Sequence, residues 1–230
     1  MSVSIRTLLD VQRPYWMFNR EERNYAALLY TALLSGDNLD RFLRHVGCTF
    51  PVVRDEVGVY VEYAYLRDLW LESGGSNDEK RRLIIELLDT EDVKVLAGAS
   101  TLEWNQHFGV NSPDFIQSPA TWQLRKFHLN IESTEDLLAT CKFKWSFKIK
   151  PDVVIHTSND HAIVIEAKYK SREGRYPADK NEIAIFRARR LDIVRQTALQ
   201  KYLFEELLGV QGTYIYVVQD PKARSGTHDT

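Results

Sequence analysis

At 230 residues, with 44% hydrophobic and 27% charged content, the chain has the length and balance of one large globular domain, which excludes a disordered or fibrous protein. Its two cysteines, Cys48 and Cys141, form neither a disulfide framework nor a metal-ligand spacing, and no apolar run approaches the roughly 20 residues of a membrane-spanning helix. Met1 to Arg6 lack the long apolar region of a signal peptide, so a reducing, cytoplasmic setting is expected. The net charge of −2 hides a division. Cys141 to Lys201 carries 14 Lys and Arg against 7 Asp and Glu, a surplus of seven positive charges, so the remainder carries −9. A basic segment of this kind fits a surface that faces phosphates. Neither a Gly-rich phosphate loop nor a G-x-S-x-G elbow is present, which disfavours an ATPase or a serine hydrolase.

Residues 1–18 read as irregular, with Pro14-Tyr15-Trp16-Met17-Phe18 an aromatic cluster suited to packing. Asn19 opens a helix that continues through the apolar run Ala26 to Leu34 and stops at Gly36; Glu22 falls at the third helical position, a capping-box spacing. Leu39 to Val46 predicts a second, short helix closed by Gly47. Val57 to Leu71 supports two readings, because Tyr60, Tyr63 and Tyr65 suit a strand whereas Leu66, Leu69 and Trp70 suit a helix. Gly74-Gly75-Ser76-Asn77 is a loop, and Ser76 with Glu79 forms a capping box for a helix to Leu88. Shorter helices are expected near Thr101–Phe108, after Ser118-Pro119 and from Ser133 to Thr140.

Lys142 to Lys150 alternates strictly, with Phe143, Trp145, Phe147 and Ile149 on one side of the pattern and lysines or Ser146 on the other. That is the period of a half-buried strand, ended by Pro151. A second strand follows at Asp152-Val153-Val154-Ile155 and stops at the turn formers Ser158-Asn159-Asp160. The third, Ala162 to Lys168, is apolar on both faces until Glu166 and Lys168 interrupt it. Residues two apart on a strand share a face, so Glu166 and Lys168 are neighbours, and the hairpin brings Asp152 opposite Glu166. Two carboxylates and an amine thus converge at the edge of a buried sheet. Groups of that kind need pairing or a metal, and a divalent cation is the usual remedy for adjacent carboxylates. His156 and His161 flank the turn; with no third ligand in sequence, a turn role is favoured over a metal site.

Lys170, Arg172 and Arg175 lie on a loop closed by Pro177 and are candidate phosphate contacts. A long basic helix is expected from Asn181 to Leu208, stopping at Gly209, with Gln196 and Gln200 one turn apart on one face. Thr213 to Val218 is a final strand. The expected organisation is a mainly helical region over residues 1–132 that contributes the first core helix, a core over 133–220, and a flexible tail over 221–230.

Pro151-Asp152, thirteen residues, then Glu166-Ala167-Lys168 resembles the PD-(D/E)XK nuclease superfamily in its strand–turn–strand setting. The resemblance implies an α/β fold with a restriction-endonuclease-like core, a mixed central sheet flanked by helices. It also implies metal-dependent hydrolysis of phosphodiester bonds in nucleic acid, DNA ahead of RNA. Asp152, Glu166 and the backbone carbonyl of Ala167 would hold one or two Mg2+ ions, with Mn2+ as a substitute, while Lys168 would orient the attacking water or meet the developing charge. A further acidic residue is implied on the helix before the sheet. Glu22 is in that relation, with its capping role as the alternative; Glu62 is the second candidate. Gln196 and Gln200 would contact the nucleic acid or orient the lysine. Members of the family serve restriction, repair and phage defence, which leaves open a second copy or another protein of such a system as a partner. Two alternatives stand beside the enzyme: an inactive nuclease-fold module that binds nucleic acid or a protein, and a structural Glu166–Lys168 ion pair with Asp152 as a turn residue.

Overall fold

A four-stranded mixed sheet sits at the centre of the protein, and the chain reaches it from two distant stretches of sequence. The strands are β1 (Gly58–Val61), β2 (Val153–Ser158), β3 (His161–Lys168) and β6 (Gln211–Val218). Their order is β1-β2-β3-β6, antiparallel across the first three and parallel between β3 and β6. A separate two-stranded ribbon pairs β4 (Arg175–Tyr176) with β5 (Val194–Arg195). The computed structural model describes residues 22–72, 75–168 and 172–218; the aromatic cluster of residues 14–18, the helix start at Asn19 and the tail over 221–230 lie outside the described residues.

Both faces of the sheet are covered, which explains why β2 and β3 are apolar without alternation. Val153, Ile155, Ile163 and Ile165 pack against Ala26 and Leu33 of α1 (Glu22–Leu33) and Leu43 of α2 (Asn38–His45). Val154, Ala162 and Val164 face the other way, into a larger core rich in Trp and Phe. That core is supplied mainly by a helical insertion between β1 and β2: α3 (Tyr65–Glu72), α4 (Asn77–Leu88), α5 (Glu91–Val95), α6 (Thr101–His107), α7 (Leu124–Phe127) and α8 (Thr134–Ser146). Side chains set several of these starts. Ser76 accepts from the Glu79 amide, Ser100 and Glu103 complete a capping box, and Ser133 accepts from the Asp136 amide. The insertion begins and ends at one place, where the Tyr63 amide donates to the Pro151 carbonyl at 3.0 Å.

Two expectations are corrected. Residues 142–150 do not form a strand: α8 runs through Ser146. Phe143, Trp145, Phe147 and Ile149 are buried, but so are Lys144 and Ser146 between them, at 4% and 2% exposure. A helical turn enclosed on all sides, like this last one, buries whatever it carries, so its alternation says nothing about faces. Ser146 is accommodated by donating its hydroxyl to the Lys142 carbonyl at 2.9 Å. Burial pushes the Lys144 ammonium below its ordinary pKa, with Lys148 adding to the effect.

The long helix over 181–208 is likewise divided. α9 (Lys180–Ala188) ends before Arg190, whose φ is +56°, and β5 intervenes before α10 (Gln196–Lys201), which runs into a π-helical turn over Tyr202–Leu207. The Arg189 guanidinium donates to the carbonyls of His128, Ile131 and Glu132 at 2.8–3.0 Å and so ties the end of α9 to the insertion. Periodicity cannot register that distant anchor. Val57–Leu71 proves to hold both elements, a strand and then a helix, with Glu62 at a φ of +53° between them.

Candidate active site

The β2–β3 register pairs Val153 with Ile165, so Asp152 and Glu166 stand opposite one another one step further along. Asp152 Oδ2 accepts from the Ala167 amide at 2.8 Å, which fixes the carboxylate against the strand that carries Glu166 and Lys168. Those two side chains emerge on the face of Val164, towards α10, and are 6% and 9% exposed.

Glu166 is held from three directions. Lys168 Nζ donates to its Oε1 at 2.7 Å, Gln196 Nε2 to the same oxygen at 2.6 Å, and Gln200 Nε2 to Oε2 at 2.9 Å. The one-turn spacing of the glutamines on α10 places both amides over a single carboxylate. Gln196 and Gln200, expected to contact nucleic acid or to orient the lysine, both donate to Glu166.

The start of α10 is secured by residues that the sequence did not single out. Its N-cap, Arg195, makes no side-chain cap. The carboxylate of Glu173 does so from a loop, accepting at Oε1 from the Thr197 amide at 2.9 Å and the Thr197 hydroxyl at 2.6 Å. Tyr216, opposite Glu166 on β6, donates to the same oxygen at 3.2 Å and also bonds the Thr197 hydroxyl. Burial pushes its phenol up to about 12. Tyr176 is also raised, first by burial and then by the nearby Glu166 charge. The Gln196 amide N–H donates to the Gly174 carbonyl at 2.9 Å, and its Oε1 accepts from the Gly174 amide at 3.2 Å. No local pattern marks Glu173 or Thr197, because their meeting depends on the loop's path in three dimensions.

The other candidates are distributed as follows. Glu22 is the first residue of α1, and its side chain lies outside what is described. The beginning of α1 does reach the right end of the sheet, since Arg23 Nε lies 3.5 Å from Glu62 Oε1. Glu62 donates its amide to the Asp152 carbonyl at 2.9 Å and pairs with Lys150 at 3.0 Å; that hydrogen bond, ahead of the Arg23 charge, lowers its pKa. Lys170 lies outside the described residues, whereas Arg172 and Arg175 are exposed beside the site. His161 bonds the Ser158 hydroxyl at 3.0 Å beside the turn, whereas His156 lies within β2, opposite Ala162, and bonds the Tyr63 hydroxyl at 3.1 Å.

The donor set bears on metal binding. Among the described residues no group of three or more His, Cys, Asp and Glu side chains is placed to hold an ion. The described residues therefore offer no four-ligand set of the kind a structural zinc takes. Mg2+ has different needs, because it keeps several waters and usually takes one or two carboxylates together with substrate phosphate oxygens. Glu166 has three donors on a carboxylate with about four lone-pair positions, which leaves one acceptor position unfilled by them. The pair fits a hard, partly hydrated cation.

Comparison with family models, with curated proteins and with solved structures finds no match to the chain.

Proposed function

We propose that the protein is a metal-dependent nuclease that hydrolyses phosphodiester bonds, DNA ahead of RNA, on a restriction-endonuclease-like core. The observation that carries this reading is the alignment of Asp152 with Glu166 across adjacent strands, with Lys168 Nζ 2.7 Å from the second carboxylate. The helix-flanked mixed sheet supports it as well. A Mg2+ or Mn2+ ion at the two carboxylates would lower the pKa of a bound water and neutralise charge on the phosphoryl oxygens.

The chain's own contributions follow from the geometry. Asp152, fixed by the Ala167 amide, and Glu166, fixed by Gln196 and Gln200, present two oxygen donors in a set orientation. The Ala167 carbonyl is the adjoining backbone donor in this scheme. Lys168 offers a point charge and three N–H donors, suited to orienting a water or meeting negative charge on phosphate. Glu22, or failing it Glu62, supplies the upstream carboxylate.

Incubation with single- and double-stranded DNA and RNA, with Mg2+ and then Mn2+, tests the proposal. Wild type should cleave, and Asp152→Asn and Glu166→Gln should each lose several orders of magnitude while remaining folded. Full activity in either variant ends the nuclease reading. One observation favours a second reading, an inactive nuclease-fold module: Glu166 already has Lys168 as a counter-ion. Calorimetric titration that finds no divalent-cation binding to wild type would select it.

A further inference from the structure

The β4–β5 ribbon carries an arrangement that folding does not explain. Its register sets Arg175 directly opposite Arg195, and Tyr176 opposite Val194. Tyr176 and Val194 turn inward, the tyrosine ring lying 5.6 Å from that of Trp145 and Val194 being 8% exposed. Side chains alternate along a strand, so Arg175 and Arg195 share the opposite, outer face. Both are exposed. Like charges directly across an antiparallel pair are destabilising, and a ribbon of two-residue strands has little stability to spare.

Several other arginines of the chain are matched. Arg54 pairs with Asp40, Arg125 with Asp179, and Arg189 with three carbonyls. Among the described residues no carboxylate pairs with Arg175 or Arg195. The location matters equally. Gly174, just before Arg175, bonds Gln196 through both its amide and its carbonyl, and Gln196, just after Arg195, donates to Glu166 at 2.6 Å. The two guanidinium groups therefore ride on the segment that holds the candidate catalytic carboxylate. Arg172, three residues before Arg175, is exposed as well.

We infer that Arg175 and Arg195 form a phosphate clamp, which grips the backbone of a nucleic acid strand beside the Asp152–Glu166 site. This rests on the nuclease reading for its choice of ligand. Two planar forks on one face suit phosphate oxygens, and the anion relieves the repulsion that the ribbon otherwise bears. The clamp reads no sequence, because backbone contacts position a strand without distinguishing its bases.

The experiment is fluorescence anisotropy of labelled oligothymidylate and of a labelled hairpin duplex with the full chain in EDTA, over a range of salt concentrations. Arg175→Gln/Arg195→Gln should flatten the dependence of log affinity on log salt by about 1.4 for the single strand or about 1.8 for the duplex, the loss of two phosphate contacts. Arg175→Lys/Arg195→Lys should keep the wild-type slope, and so should Arg82→Gln on α4. The Gln double variant should melt no lower than wild type, because it removes a like-charge pair; loss of binding is then not loss of fold. A wild-type slope in the Gln double variant overturns the clamp, as does a wild type that binds neither probe. Cleavage is measured separately with Mg2+. Arginine-dependent binding without any cleavage leaves the clamp standing and removes the nuclease reading, whereas cleavage with an unaltered slope in the Gln double variant does the reverse.

Discussion

Gln200→Met tests the packing of the site without touching the residues assigned to chemistry. Methionine matches glutamine in length and flexibility but cannot donate to Glu166 Oε2, which Gln200 Nε2 reaches at 2.9 Å. Both residues are buried, at 2% and 6% exposure, so water does not replace the lost donor freely. Hydrogen bonds to charged groups contribute about 1.5–3 kcal/mol, and the surviving bonds from Lys168 and Gln196 both go to the other oxygen. The expected loss is about 2 kcal/mol, or about 4–8 °C in melting temperature for a protein of this size. Urea unfolding in EDTA measures it, and a cycle with Glu166→Gln separates the ionic share. In the Glu166→Gln background the same change should cost about 1 kcal/mol, the contribution of a neutral bond. Equal costs in both backgrounds, or no cost in either, would refute the view that Gln200 stabilises an ionised, buried Glu166.

The remaining expectations concern the lysine, the upstream carboxylate and acid stability. Lys168→Ala should abolish turnover while calorimetry finds metal affinity largely intact; a variant that recovers activity at high Mg2+ would make the lysine structural. Glu22→Gln should keep a near-normal melting temperature, since glutamine still caps, but lose cleavage and bind Mg2+ more weakly; normal cleavage there shifts the role to Glu62, where the same substitution is next. Burial lowers the His156 and His107 pKa values below the ordinary 6.5, so the unfolded chain takes up those protons first. Stability should be full above about pH 6.5 and fall as pH drops from there through the folded values, and His156→Gln should flatten that fall in urea midpoints measured between pH 7.5 and 5.

How much of this was legible depends on the range of the force that decides each element. The hairpin was readable because its turn formers and two apolar strands are local, and its register followed. So was the convergence of Asp152, Glu166 and Lys168, since side-chain direction on a strand depends only on residue parity. Gln196 and Gln200 were recognisable as one face of a helix, but not as partners of Glu166, which lies on another element. α8 was misread because alternation marks a face only when one side meets water, and the last turn of that helix, from Phe143 to Ser146, is buried all round. The break after α9 was hidden in Arg189, whose carbonyl partners lie far upstream in the chain. Glu173 shows the same limit at the site: its cap on α10 is a tertiary bond with no signature nearby.

The meeting of Tyr63 with Pro151 has a consequence for the order of assembly. β1 can pair with β2 only after the intervening chain has been drawn into a closed loop, whose entropy cost from the separation of those two residues is roughly 4 kcal/mol plus a constant. The β2–β3 hairpin closes over a few residues and faces no such delay. The carboxylate pair of Asp152 and Glu166 should thus come together early, on the hairpin, and β1 with Glu62 should arrive late, once the helices between have condensed. Pulsed hydrogen exchange should find β3 amides protected before those of β1. Simultaneous protection would mean that the insertion collapses as fast as the hairpin forms.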